Sequence, residues 1–143
     1  MDYCSLCEVT DKIVSVYPYF KRRIYGKSLC GRDFILLESA EKVQTGRQPV
    51  LFAGAFHGME WITSAVLLHF AERLCKAAQN GETLHGKDAH AALERSRLVI
   101  APCVNPDGVE IQIHGAKTAG IYTDLVRQIS KGDTKHWQAN ARG

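Results

Sequence analysis

Residues 49–64 read Pro-Val-Leu-Phe-Ala-Gly-Ala-Phe-His-Gly-Met-Glu-Trp-Ile-Thr-Ser, and the reading of this stretch decides the fold. The apolar run 50–56 has the length of a buried strand. His57 and Glu60 follow at once, and the apolar periodicity of 61–78 predicts a long helix. A histidine and a carboxylate three residues apart therefore stand where the C-terminal end of a strand meets a helix. Open α/β sheets place their ligands at such junctions.

The flanking sequence extends this pattern in both directions. Residues 11–17 predict a short helix or turn that stops before Pro18, which disfavours helix in the residue ahead of it. Residues 22–26 and 34–38 predict two strands. The turn Gly26-Lys27-Ser28-Leu29-Cys30-Gly31 between them is short enough for a hairpin. Thr45-Gly46-Arg47-Gln48-Pro49 breaks the chain before the third strand, 50–56, which is expected to be the most buried. In the helix that follows, Ile62, Val66, Leu67, Phe70, Leu74 and Ala78 form one apolar stripe, and Glu72 and Lys76 support its solvent face. Asn80-Gly81 ends it. Residues 84–97 are polar and mixed, with a helical turn at 89–93. Residues 98–104 predict a fourth strand, parallel to the third after a helical crossover. Asn105-Pro106-Asp107-Gly108 stops that strand. A short helix or extended segment runs to His114, a helix covers 122–130, and a polar tail closes the chain. The expected class is α/β, with a mixed, mostly parallel sheet and flanking helices.

Composition narrows the possible functions. With 143 residues and 45% hydrophobic content the chain fills one small domain or part of a larger one. The net charge of +3 is mild, and the basic residues are scattered, so no nucleic-acid partner is expected. Lys21-Arg22-Arg23 reads as a solvated strand face. No stretch approaches the roughly 18 apolar residues of a membrane helix. The first residues lack the basic region and apolar core of a secretory signal. Five cysteines without a framework pattern suit reduced thiols, and a cytoplasmic location is the expectation.

His57 and Glu60 lie one helical turn apart, so both can face one point and share a metal ion. Zinc accepts imidazole nitrogen and carboxylate oxygen at about 2.0–2.2 Å, and a catalytic zinc takes three protein ligands and a water. His-x-x-Glu also occurs by chance in many helices, where its role is structural or superficial. Its place directly after a strand is what favours a metal here. Gly58 between the two allows close approach of backbone or substrate. Cys4-x-x-Cys7 has metal or redox spacing but lacks a second pair. Cys75 and Cys103 read as small core residues. His69 lies twelve residues beyond His57, too far along a helix rising about 1.5 Å per residue to join it. His85, His90 and His136 sit in polar stretches. His114 reaches the pair only if the chain folds back. Trp61 reads first as a packing residue.

Four motifs fall in a recognisable order. They are Gly26-Lys27-Ser28 with Gly31-Arg32, Phe56-His57-Gly58-Met59-Glu60-Trp61, Val104-Asn105-Pro106-Asp107-Gly108, and Trp137-Gln138-Ala139-Asn140-Ala141-Arg142-Gly143. Together they resemble the zinc carboxypeptidases, the carboxypeptidase A-like M14 family, over residues 17–143. The His-Gly-Met-Glu-Trp form is most similar to the bacterial branch, which includes γ-D-glutamyl-diamino-acid peptidases of cell-wall peptides. The resemblance implies Zn2+ as cofactor, His57 and Glu60 as two of its three ligands, and Arg142 as the arginine that polarises the scissile carbonyl. It implies a structural role for the Asn105–Gly108 turn. Where relatives often carry a basic residue after the tryptophan, this chain has Gln138. The third ligand, a later histidine, and the general-base glutamate would lie downstream of Gly143. The expectation is thus a single partial peptidase domain, 1–143, truncated at its C-terminal end, with an open sheet edge and an uncovered helix face. The implied function is zinc-dependent hydrolysis of peptide or amide bonds by zinc-activated water, with peptidoglycan stem peptides among the candidate substrates. The alternative is an inactive truncated remnant or a non-catalytic binding module.

Overall fold

The computed structural model describes residues 1–39 and 49–143. Helix α1 (Tyr3–Val16) is capped by Asp2, whose side chain accepts from the Ser5 N–H at 2.9 Å. That bond holds the Asp2 carboxyl down at about 2. The helix buries Leu6, Thr10 and Ile13, one face at helical spacing, and ends at Tyr17 ahead of Pro18. The expected helix or turn at 11–17 covers only its last turns, and the helix begins well before it, with Leu6 already in the core.

Strands β1 (Phe20–Lys27) and β2 (Asp33–Ser39) form the expected antiparallel hairpin. Strand β3 (Pro49–Ala53) leads through a short 3-10 turn (Gly58–Glu60) into α2 (Trp61–Gln79). Gly81 then takes the left-handed conformation, with φ +68°. A two-stranded ribbon, β4 (Thr83–Leu84) and β5 (Lys87–Asp88), and a short helix α3 (Ala89–Arg95) precede β6 (Arg97–Ala101). Helix α4 (Pro106–His114), a 3-10 segment (Ala116–Tyr122) and α5 (Thr123–Ser130) follow. The break expected at 45–48 lies outside the described residues.

The sheet is mixed, in the order β1-β2-β6-β3. The parallel pair is β3 with β6, as the crossover predicts. The expectation of a mostly parallel sheet is corrected for these strands, because β1–β2 and β2–β6 are both antiparallel. The antiparallel hairpin enters the sheet beside β6 and sets that balance.

Two packing expectations are also corrected. Strand β3 is lateral, not central, and Leu51 is 62% exposed. An apolar run reads alike in either place, and only its pairing partners distinguish them. On α2 the buried face carries Ser64, Leu68, Ala71, Leu74, Cys75 and Ala78, while Ile62 and Val66 of the predicted stripe are exposed, Val66 by 61%. Leu74 and Ala78 of that stripe are buried and Leu67 and Phe70 pack against the core, so the buried face is turned toward the small residues and leaves out only Ile62 and Val66. Glu72 pairs with Lys12 of α1 at 3.0 Å, joining the two helices.

Ile35 and Leu37 of β2, with Leu98 and Ile100 of β6, face α1 and α2 in the main core. Cys75 and Cys103 lie in it as expected, and burial pushes their thiols up to about 12 and about 11. A second core holds Ile111, Ala119, Val126, Trp137 and Ala141, and anchors the C-terminal segment to α4 and α5. No helix of the described residues is long and apolar enough to cross a membrane.

Candidate functional site

Past β3 the chain keeps its bonds to the β6 side. Gly54 N–H donates to Ala101 O at 3.0 Å, and Gly54 O and Ala55 O accept from Val104 and Asn105 at 2.9 Å. Ala55 is fully buried with φ +50°. A left-handed alanine costs about 1–2 kcal/mol, and such strain collects at functional sites. Thr63 of α2 holds it there. Its hydroxyl accepts from the Ala55 N–H at 2.7 Å and donates to Glu60 O at 2.8 Å. A side chain on Gly54 would meet that hydroxyl at 2.8 Å. The strand end is therefore folded tightly onto the first turn of α2, and this delivers His57 and Glu60 together.

The two side chains converge. His57 Nδ1 lies 2.7 Å from Glu60 Oε1, and the His57 N–H donates to Glu60 Oε2 at 3.1 Å. Both are exposed, His57 by 56%. Hydrogen bonds from His57 hold the Glu60 carboxyl below its usual range, so it stays ionised. The 2.7 Å contact holds a shared proton between Nδ1 and Oε1, and a cation bound by both atoms takes that proton's place.

Asn105 backs the pair from the β6 side. Its Nδ2 donates to Phe56 O at 3.1 Å and Gln138 O at 3.2 Å, and its Oδ1 accepts from Gly108 N at 2.9 Å. Gly58 N–H donates to the same Gln138 O at 2.9 Å. A Cβ on Gly58 would lie 2.5 Å from both Gly108 O and Trp137 O, so three backbone segments meet there with no space for a side chain. Sequence reasoning left open whether backbone or substrate approaches Gly58, and it is backbone. An open cleft of about 330 Å³ lies alongside, bordered by His57, Phe56, Leu29, Asn105, Gln138 and Asn140.

Below it lies a buried ionic hub. Asp107, only 2% exposed, accepts from Ser28 Oγ at 2.8 Å, Cys30 N at 3.0 Å and Arg32 at 2.7 Å. Arg32 also donates to Thr118 O at 3.0 Å. The hub ties the β1–β2 turn to the start of α4.

The sequence model described as zinc carboxypeptidase matches residues 6–140. The chain belongs to the zinc carboxypeptidase family. It is 28% identical over 134 residues to the uncharacterized protein YqgT of Bacillus subtilis (strain 168), covering 92% of this chain and 35% of that protein. It is 25% identical over 114 residues to gamma-D-glutamyl-L-diamino acid endopeptidase 1 of Lysinibacillus sphaericus, covering 80% of this chain and 28% of that protein. The fold is shared with bovine thrombin-activatable fibrinolysis inhibitor, solved in complex with tick carboxypeptidase inhibitor. There the TM-score is 0.66 at 15% identity, covering 98% of this chain and 36% of that chain. The chain thus spans about a third of the length of the curated relatives it matches.

The zinc carboxypeptidase family is zinc-dependent, and the donor set here suits part of a zinc site. Two donors on one tetrahedral zinc sit roughly 3.4 Å apart, so the His57–Glu60 contact must open by less than about 1 Å to admit the ion. Among the described residues no group of three His, Cys, Asp or Glu side chains is placed to hold a metal. His114 meets Asp2 at 3.2 Å instead, and His69 and His85 line a separate shallow cleft beside Val66. Arg142 lies with its guanidinium carbon 5.9 Å from the Tyr122 ring centroid, and it is not among the residues bordering the cleft at His57. The structural role expected for the Asn105–Gly108 turn is what Asn105 performs, whereas Thr63 as a support was missed. Asn105-Pro106 is the signature of a helix start, a capping residue before an N1 proline, and that signal was available.

Proposed function

We propose that this chain carries two ligands, His57 and Glu60, of the zinc site of a peptide- or amide-hydrolysing metallopeptidase. The convergence of Nδ1 and Oε1 at the strand–helix junction carries this reading. His57 and Glu60 would hold the ion, whose chemistry there would be to acidify a water and polarise the scissile carbonyl. Thr63 keeps Glu60 at the start of its helix through the Glu60 carbonyl. Among the described residues no third His, Cys, Asp or Glu is placed to join them. In its proposed role Arg142 exchanges the Tyr122 ring for the substrate carbonyl. Similarity to the Lysinibacillus sphaericus endopeptidase supports a cell-wall stem peptide as substrate.

Zinc titration followed through the His57 ring resonances tests the site. The wild-type chain is expected to bind at least about tenfold more tightly than a His57→Ala, Glu60→Ala double variant, in line with the effect of losing ligand-shell contacts. Equal affinities sink the assignment. Hydrolysis of a γ-D-glutamyl-diamino-acid peptide by a form extended beyond Gly143, and not by residues 1–143, is the expected activity result. Zinc binding with no hydrolysis by the extended form supports the non-catalytic module instead.

A further inference from the structure

We propose that Asn105 is a positioning residue for the His57–Glu60 pair, acting through the peptide groups on either side of His57. This rests on reading the pair as metal ligands.

A carboxamide has one acceptor end and one donor end, and here each end has its own task. Only oxygen can accept from the Gly108 N–H, and only the amino group can donate to two carbonyls, so the orientation of the amide is forced. The oxygen caps α4. The amino group is not needed for capping, since aspartate caps a helix equally well. Its two bonds go to Phe56 O and Gln138 O.

Those two carbonyls control His57. The Phe56 carbonyl belongs to the peptide plane entering His57. The plane leaving His57 carries the Gly58 N–H, which donates to Gln138 O. One amino group thus anchors the first plane directly and the acceptor of the second. With both planes held, the φ of −111° and ψ of 153° at His57 are set, and with them the direction of its side chain. The absence of room at Gly58 keeps the second plane from sliding.

Asn105→Asp separates the two tasks, because it keeps the cap and removes both donors. Asn105→Ala removes both tasks. Three readouts are taken on the wild type and both variants: the urea midpoint, Gly58 amide hydrogen exchange, and zinc affinity by His57 ring resonances. For Asn105→Asp the midpoint falls less than in Asn105→Ala because the cap is kept, Gly58 exchanges at least about tenfold faster, and zinc binds about tenfold more weakly. The added carboxylate by itself attracts a cation, so weaker binding reports lost geometry and not charge. Unchanged Gly58 exchange and zinc affinity in Asn105→Asp overturn the proposal. So does a midpoint that falls as far as in Asn105→Ala, which leaves only a folding role. If the wild type itself binds zinc no better than the His57, Glu60 double variant, the metal reading has failed separately. Gly58 exchange and the apo His57 ring shifts then decide: a change in Asn105→Asp supports positioning, and no change overturns it.

Discussion

Asp107 and Glu60 are both carboxylates just past the end of a parallel strand, β6 and β3, and both contact a basic side chain. Their surroundings differ in every other respect. Asp107 is almost wholly buried and accepts from three residues, Ser28, Cys30 and Arg32. The Glu60 side chain is 41% exposed, and its close partners are the ring and backbone N–H of His57. A buried charge is tolerable only when it is paired and hydrogen-bonded, and Asp107, committed to three donors and 2% exposed, is out of a ligand's reach. Glu60 is within reach, and the neighbouring imidazole points to the same spot. Abundant partners mark the carboxylate that holds the fold together. Sparse partners, beside a strained Ala55, mark the one available for chemistry.

The comparison breaks first at Asp107. Asp107→Ala strands the Arg32 guanidinium, 3.9 Å from Glu110 as its remaining carboxylate, and is expected to cost about 3–5 kcal/mol in a urea melt. That is a large share of the total stability of a small domain. Gly58→Ala comes next. It forces a methyl group against two backbone oxygens and is expected to cost about 1–3 kcal/mol, measured the same way. Thr63→Val keeps the shape but leaves the Ala55 N–H without its acceptor, for about 1–2 kcal/mol.

Glu60→Gln is the smallest and the sharpest. It should lower the neutral-pH urea midpoint only slightly, since the group is solvent-exposed, while abolishing the zinc response of the His57 ring. The same contrast extends to pH. Glu60 is held below its usual range by the His57 bonds, so its contribution is present above the ordinary carboxylate pKa. It fades as pH falls through the lower folded value. Carbon NMR of the Glu60 carboxyl should show a depressed midpoint that rises toward the ordinary value in His57→Ala. A midpoint insensitive to that substitution breaks the claimed coupling.

Local chemistry in the sequence was enough to determine a good deal. Pro18 ended α1, Gly81 ended α2, and the Gly-bracketed turn made the β1–β2 hairpin, because each depends on backbone freedoms that a single residue sets. His57 and Glu60 stand three apart, the spacing of a capping residue and the third residue of its turn, and the 3-10 turn that begins at His57 closes it. The four ordered motifs pointed to the zinc carboxypeptidase family. Tertiary structure decided the rest. Nothing in Val50-Leu51-Phe52 says whether a strand lies at the centre or the side of a sheet. Nothing in α2 says that its buried face is turned toward Ser64, Leu68 and Ala71 and away from Ile62 and Val66. Asp107 and Arg32 are 75 residues apart in the chain, and Asn105 is 49 from Phe56. Bonds over such separations exist only once the sheet has brought the ends of β3 and β6 side by side, because no local rule carries information across that length of chain.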